Sequence, residues 1–417
     1  MLIASCTSYP LRIGNIPTVV DTILQQTCSP DKVIINLSRD EFPGEVLPQD
    51  VQEYINKHSK VSVNWLDGNW KVYKKFLPIL KDYSTDLILS FDDDTVYPKG
   101  IIEDLLSVHK QYPDAPIASN HYWFDGLKCH CGECSLTQAK HFEGWEQYVN
   151  EEMIAKCPAD DLFYTNLAAI NGYFYKCTST NYPRVWEKYE EKEGYSKSIP
   201  SINKNTEKEL FNLFGKHVKM MFTDDLTKPI CVFNVVANPR GLDIADKMLK
   251  WIYPQYNVFV VEHDGTKFEY PGLKFLQNYV AHNEVKVPIL YLHTKGAVKV
   301  RACSEKVRNL WKFEFGKYMN KYVDLVNTDK PTIATPYAGY AKDPRDGYKG
   351  TYPVSWYNGW MANPEALKLI NVPLTNDRYV YETCIYQGIN ILGTRCTDVW
   401  WTPESMQAKD MDLNTNF

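Results

Sequence analysis

Three carboxylates in a row, Asp92, Asp93 and Asp94, follow the short apolar run Leu87 to Phe91. Such a run suits a buried strand and is too short for most helices. Tyr97-Pro98 then breaks the strand, and Gly100-Ile-Ile-Glu-Asp-Leu-Leu opens a helical pattern. In an α/β sheet, ligands bind beyond the carboxyl ends of the strands. Negative charge gathered there is costly unless something pairs it, and a divalent cation carrying phosphates would do so. Asp92 and Asp94 alternate along the chain, so they would hold Mn²⁺ or Mg²⁺ directly or through water, with Asp93 on the donor side. The metal would grip two phosphates and neutralise charge building on a leaving group. The plain alternative is a solvated acidic turn.

Other clusters carry their own chemistry. Asp92-x-Asp94 also fits the first motif of haloacid-dehalogenase-type phosphatases, in which the first Asp is a nucleophile and the second a general acid. No acidic pair in a Gly-Asp context accompanies it. Cys157-Pro-Ala-Asp-Asp161 places two carboxylates before Leu162-Phe-Tyr-Thr-Asn-Leu, where a general base or a helix N-terminus would both account for them. Cys129-His-Cys-Gly-Glu-Cys134 would offer Zn²⁺ the thiolates of Cys129, Cys131 and Cys134, with His121, His141 or Cys157 as a fourth ligand. Close thiols also occur without metal. Leu290-Tyr-Leu-His-Thr-Lys-Gly296 ends a second apolar run, where His293 and Lys295 would meet phosphate; a structural turn histidine is the bland reading.

The elements that position these residues repeat. Strands are expected at Leu2–Cys6, Lys32–Leu37, Val61–Trp65 and Leu87–Phe91, with helical spacing at Val19–Gln26 and Asp50–His58 between them. That is a βαβ pattern with a parallel sheet. Tyr73–Leu80 reads as helical despite Pro78. After Thr223-Asp-Asp-Leu-Thr-Lys-Pro229 the pattern restarts, with strands at Ile230–Val236, Asn257–Glu262 and Val287–Leu292, a helix at Leu242–Trp251 and a long helix over Arg301–Tyr322. The 417 residues therefore read as two α/β domains, 1–225 and 226–417, without a close residue-level repeat. A net charge of −5 argues against a broad nucleic-acid surface. Eleven mostly scattered cysteines suit a reduced, cytoplasmic protein better than a disulfide scaffold. Neither a signal peptide nor a membrane span is expected.

The first half resembles GT-A glycosyltransferases, in a group related to the large inverting glycosyltransferase 2 class. The ordered segments that carry the resemblance are Thr7-Ser-Tyr-Pro-Leu-Arg-Ile13, Gln26–Val33 with Leu37–Pro43, Gly68–Lys75, Asp92–Pro98 as the DxD motif, and Cys157–Asp161. The resemblance implies Thr7, Tyr9 and Arg12 at the nucleotide. It puts Lys74 or Lys75 at a phosphate or ordering the acidic loop, and Asp160 or Asp161 as the base that takes the acceptor proton. The second half resembles HTKG-type polysaccharide-synthesis glycosyltransferases. The likeness rests on His293–Gly296, Tyr357-Asn-Gly-Trp-Met-Ala-Asn363 and Arg378-Tyr-Val-Tyr-Glu382, with Glu382 as its acidic residue, and this half has no DxD. Together these imply tandem GT-A-like, Rossmann-related domains and a metal-dependent transferase that moves a hexosyl or deoxyhexosyl group. Its partners would be a nucleotide-sugar donor and a glycan or lipid-linked glycan acceptor, in surface polysaccharide synthesis at the inner face of a membrane. The rival readings are the phosphatase and a non-catalytic glycan-binding protein.

Overall fold

Apolar strands alternate with amphipathic helices in both halves of the chain, and they build two units, Met1–Phe214 and Gly215–Phe417. The computed structural model describes residues 1–119, 121–124, 127–130, 134–178, 206, 208–223, 225–267, 269–294, 297, 303–336, 338–342, 351–355, 359–374 and 389–393. The side chains of 121–124, 127–130, 303, 338–342, 351–355 and 393 are not part of that description.

The first unit runs β1 (Leu2–Thr7), α1 (Ile16–Leu24), β2 (Lys32–Ser38), α2 (Gln49–Lys57), β3 (Val61–Leu66), β4 (Leu87–Phe91) and α3 (Ile101–Gln111). It continues through β5 (Ile117–Ala118), β6 (His121–Phe124), β7 (Leu127–His130), β8 (Cys134–Thr137), α4 (Glu151–Lys156), α5 (Asp160–Ile170) and β9 (Lys176–Cys177). Its sheet has the order β3-β2-β1-β4-β8-β5-β9. β1, β2, β3 and β4 are parallel, and β8 is antiparallel to β4 and β5. The chain lays β2 and β3 outward on one side of β1 and then returns to place β4 on the other. The crevice between the ends of β1 and β4 is therefore the switch point at which α/β sheets take ligands. α1 buries Ile16, Val19, Val20 and Ile23, one stripe at helical spacing, against Ala4, Cys6, Val33, Ile35, Leu37 and Phe91. Each such aliphatic side chain contributes about 1.5–3 kcal/mol on burial.

The second unit runs β10 (Lys216–Met221), β11 (Ile230–Val236), α6 (Pro239–Ile252), β12 (Asn257–His263), α7 (Tyr270–His282), β13 (Ile289–His293), α8 (Cys303–Trp311) and α9 (Met319–Val326). Then follow β14 (Thr332–Thr335), β15 (Ala338–Lys342), β16 (Thr351–Ser355), β17 (Trp360–Ala362), α10 (Pro364–Leu369) and β18 (Asn390–Gly393). The sheet order is β10-β12-β11-β13-β17-β14-β18. Strands β11, β12, β13, β14, β17 and β18 take the places of β1, β2, β4, β5, β8 and β9, with the antiparallel strand in the same position. A two-stranded antiparallel pair, β6–β7 in one unit and β15–β16 in the other, is inserted at the same point of each chain path. The units differ at one edge, where β3 is parallel to its neighbour and β10 is antiparallel. The expectation of two α/β halves with largely parallel sheets matches this architecture, and the shared topology extends it.

Two helices differ from expectation. Tyr73–Leu80 is not one α-helix but two short 3₁₀ turns, Lys71–Lys75 and Leu77–Ile79. Pro78 has no N–H to bond the carbonyl of Lys74, so a continuous helix cannot run through it. The long helix expected over Arg301–Tyr322 divides into α8, a π-helical turn at Lys312–Lys317 and α9. There the buried Tyr256 hydroxyl donates to the Phe315 carbonyl at 2.7 Å, and Gly316 packs closely against the Trp251 ring. An outside donor on a helix carbonyl and a tight ring contact both favour a local change of helical period.

Candidate active site

The acidic loop of the first unit is pinned before it meets any ligand. The Tyr97 hydroxyl accepts from the Asp92 N–H at 2.8 Å, and the Tyr97 ring packs edge-on against Phe91. The C-terminal turn of α1 grips the far side: Thr22 Oγ1 accepts from Tyr97 N–H, Gln26 Oε1 accepts from Gly100 N–H, and Gln26 Nε2 donates to the Pro98 carbonyl. The strand end and its following turn are thus tied into the sheet and into α1.

Each carboxylate is paired, and Asp93 and Asp94 share one cation. Asp92 Oδ1 accepts from Lys75 Nζ at 2.6 Å. Asp93 Oδ2 accepts from Ser8 Oγ at 2.6 Å, and its Oδ1 lies 3.3 Å from Arg12 Nη1. Asp94 Oδ2 accepts from the same Arg12 nitrogen at 2.7 Å. Ser8 and Arg12 lie on the turn after β1, so the groups that meet the acidic loop come from across the switch point. Lys75 also reaches Asp160 Oδ2 at 3.6 Å, which joins the acidic loop to the first turn of α5.

Lys75 is placed by packing on both sides. Its carbonyl accepts from the buried Ser5 hydroxyl at 2.6 Å. Tyr73, two residues earlier, donates to the Cys157 carbonyl at 2.7 Å and packs edge-on against Phe163. Phe76, Phe142 and Tyr164 close the cluster with edge contacts of 5.0–5.3 Å between ring centres. This aromatic group clamps the 71–80 segment to α5 and so fixes Lys75 against Asp160. A small pocket lies beside them, lined by Lys75, Phe76, Ser90, Ser135, Asp160, Tyr164 and Tyr175.

The electrostatics leave negative charge in excess. Burial pushes the Asp93 carboxyl up to about 6, against the opposing pull of Ser8 and Arg12. Burial raises Asp94 as well, helped by Asp92. Asp160 is raised by burial although Lys75 opposes it. Burial alone would lower the Lys75 ammonium, but Asp160 and Asp92 outweigh it and raise it. Asp92, Asp93, Asp94 and Asp160 set four carboxylates against the two cations Arg12 and Lys75. A divalent ion fits that imbalance in charge, and oxygen donors suit Mn²⁺ or Mg²⁺. As the side chains stand, Arg12 and Lys75 take oxygens of the acidic loop. No group of three His, Cys, Asp or Glu among the described residues is arranged to hold a metal ion.

The structure therefore brings together Arg12, Lys75, Asp92, Asp93, Asp94 and Asp160. Asp161 is partly buried in the same first turn of α5, and its Oδ1 accepts from the Leu162 N–H. Tyr9 lies at the rim, 36% exposed, with the Arg12 guanidinium over its ring. Thr7 spends its hydroxyl proton on the Asn36 carbonyl at 2.8 Å. Lys74 is buried and pairs with Glu41, away from the three aspartates that Lys75 and Arg12 serve. In the second unit His293 ends β13 at the place that β4 holds in the first. It packs beside Trp311, with Nδ1 3.7 Å from Glu269 Oε1. Lys295 and Glu382 lie outside the described residues, as do Cys131 and the side chain of Cys129. Cys134 is buried in β8 opposite Phe91. His141 is committed elsewhere: Nδ1 accepts from the Gln138 N–H, and Nε2 lies 3.1 Å from the Asp114 carbonyl. Zinc gains no support from the described residues.

Ser8, Glu41 and the Ser90–Ser135 pair were missed by sequence reasoning. Ser8 stands inside the Thr7–Ile13 segment, but nothing local marks its hydroxyl as the partner of a residue 85 positions away. Ser90 and Ser135 bond at 2.7 Å across β4 and β8, a pairing that depends on finding β8.

No family model and no curated protein matches the chain. Solved structures do show similarity. The chain is similar to the mannosyltransferase PcManGT from Pyrobaculum calidifontis in complex with GDP-Man and Mn²⁺, at 13% identity and TM-score 0.33, over 42% of this chain and 53% of that one. It is similar to S. aureus TarS 1-349 at 12% identity and TM-score 0.35, over 67% of this chain and 80% of that one. Against S. aureus TarS the identity is 11% and the TM-score 0.36, over 87% of this chain and 71% of that one. The chain thus spans about half the length of the mannosyltransferase.

Proposed function

We propose that the first unit is a GT-A-type, metal-dependent glycosyltransferase that moves a sugar from a nucleoside-diphosphate donor to a glycan hydroxyl. The observation that carries this reading is the excess of carboxylates at the β1–β4 switch point, beside a separate acidic pair on α5. Asp92 and Asp94 would hold Mn²⁺ or Mg²⁺, which when bound supplies positive charge to the departing diphosphate. Thr7, Tyr9 and Arg12 would border the nucleotide, and Asp93 holds Ser8 and Arg12 in place for it. Lys75 fixes Asp92 and Asp160 relative to each other. Asp161 is the less buried of the acidic pair and takes the acceptor proton, since a base must reach the incoming hydroxyl. Asp160, nine-tenths buried against Lys75, positions that turn.

The second unit, in the same reading, meets donor or acceptor through His293 and Lys295, with Glu382 as its acidic residue. The setting is surface polysaccharide synthesis on a glycan or lipid-linked glycan at the inner face of a membrane. No helix among the described residues is long and apolar enough to cross a membrane.

The test is a transfer assay on the full chain with UDP-, GDP- and dTDP-hexoses and glycan acceptors, read by mass spectrometry. One donor should yield nucleoside diphosphate and an acceptor heavier by one sugar, with Mn²⁺ but not with EDTA. Asp161→Asn should abolish transfer while donor binding persists. Inorganic phosphate release with a phosphorylated Asp92 would replace this reading by the phosphatase. Glycan affinity without any turnover would replace it by a binding protein.

A further inference from the structure

We infer that the carboxyl end of the second sheet holds a metal-independent site for a hydroxyl-rich ring, a sugar or the ribose of a nucleoside, lined by Asn234, His263, Glu269 and His293. The site deepens the reading of the second unit, which already used His293, and does not depend on the metal site of the first unit. Asn234 of β11 is in register with His293 of β13, and Val236 of β11 with His263 of β12. Register partners on parallel strands, and residues two apart on one strand, share a face of the sheet. Asn234, His263 and His293 therefore form a polar row across three neighbouring strands. α7 lies over the same face: a Cβ on Gly272 would come within 2.6 Å of the Asn234 side chain. Glu269 stands directly before α7, with Oε1 3.7 Å from His293 Nδ1. β11 and β13 flank the switch point of this sheet, as β1 and β4 do in the other.

The row is buried and its hydrogen bonding is incomplete. Asn234 is 2% exposed, His263 0% and Glu269 6%. Asn234 Oδ1, His263 Nε2 and Glu269 Oε2 have no hydrogen-bond partner. Buried polar atoms in native proteins are almost always paired, so three at one strand end call for a ligand or for trapped water. His263 Nδ1 accepts from the Gly265 N–H at 3.1 Å, which puts the ring proton on Nε2 as a donor. Burial keeps that ring neutral by lowering its pKa to about 4. The site thus offers two acceptors and one donor. Hydroxyl groups both donate and accept, so a diol can answer all three. A phosphate brings acceptors alone and would face the Glu269 carboxylate. A bare cation would face the His263 Nε2 proton.

The first unit reverses these signs. There the cation, Lys75, comes from the segment before β4, and the carboxylates follow the strand. In the second unit the carboxylate, Glu269, precedes β13 and an imidazole ends it. The same crevice is thereby changed from a metal-and-phosphate chemistry to one of hydrogen bonds to a carboxylate, an amide and an imidazole.

The experiment uses the full chain carrying Asp92→Asn and Asp94→Asn, in EDTA, so that the metal site proposed for the first unit is absent. Saturation-transfer NMR titrations compare methyl α-glucoside and methyl α-mannoside with uridine and guanosine, which separates a sugar source from a nucleoside source. One arm should bind saturably at millimolar concentration or below. Asn234→Leu and Glu269→Gln should each weaken it about tenfold or more, with unchanged circular dichroism. If Asn234→Leu does not fold, Asn234→Asp keeps the shape while adding charge beside Glu269, and should weaken binding likewise. No saturable binding in either arm would overturn the proposal. So would binding indifferent to these substitutions, or an Asn234→Leu protein that is more heat-stable and binds as before, which would mean trapped water.

Discussion

Lys75 is the residue on which the first site turns, because one ammonium serves two carboxylates from different elements. Replacing it by Met leaves Asp92 and Asp160 facing each other without compensation. Breaking a buried pair in this way costs about 3–5 kcal/mol. Urea unfolding at pH 7 should show a loss of that order, and adding Asp92→Asn to Lys75→Met should restore part of it. A loss below about 1 kcal/mol would mean that the pair behaves like a surface bridge. His263 makes a second prediction at this scale. Its pKa falls from the ordinary 6.5 to about 4 through burial, with Asp264 opposing. A depressed histidine prefers its neutral form in the folded state, so its contribution is present above pH 6.5 and is lost as the pH falls toward 4. The shift corresponds to roughly 3 kcal/mol. The difference in unfolding free energy between the wild type and His263→Asn should shrink by about that amount over this window. Arg12, and Lys75 as one of two lysines, entered only through the family resemblance of their segments, whereas the acidic triplet was legible because charge beside an apolar strand is conspicuous. Ser8 was not, since a serine in a turn has many local uses. The row that Asn234 and His263 form with His293 was hidden for another reason. Its members lie on three different strands, and only strand register aligns them.

Elements decide whether those residues meet. The 71–80 segment lacks a continuous helix, yet it holds Lys75 in place through Tyr73, Phe76 and their partners on α5. Tyr164→Ala removes the ring that touches Phe76, Phe142 and Phe163. A large aromatic deletion in a core costs about 3–5 kcal/mol. Transfer should fall more steeply than stability alone explains, because α5 carries Asp160 and Asp161. A variant that unfolds more easily but turns over normally at low temperature would separate the clamp from the chemistry. Strands β1 to β4 and helices α1 and α2 were readable from periodicity and turn residues. The short strands β8 and β9 were harder, since two to four residues carry little pattern of their own. Helix α7 went unread, although its N-terminal approach shapes the second crevice. The break in the α8–α9 region was equally invisible, because it depends on Tyr256 and Trp251 arriving from elsewhere.

On the scale of the whole chain, one topology is used twice, down to the inserted hairpin, while the strand-end chemistry differs between the two copies. The restarting strand and helix pattern revealed two α/β halves, but the duplication became visible only through strand order, since burial constrains residue class more than identity. The asymmetry at the strand ends was legible from the start: Asp92-Asp-Asp94 in one half, His293-Thr294 in the other. The central claim is that the first copy binds a nucleotide sugar through metal held by its carboxylates. The most direct test is the thermal shift of the full chain with UDP-, GDP- and dTDP-sugars, each with Mn²⁺ and with EDTA, in wild type and Asp94→Asn. A ligand at 100 times its Kd adds about 2.7 kcal/mol to folding stability, a shift of a few degrees. The account predicts that shift for one donor, only with Mn²⁺ and only in the wild type. A shift of the same size in EDTA, or in Asp94→Asn, or no shift with any donor, would contradict it.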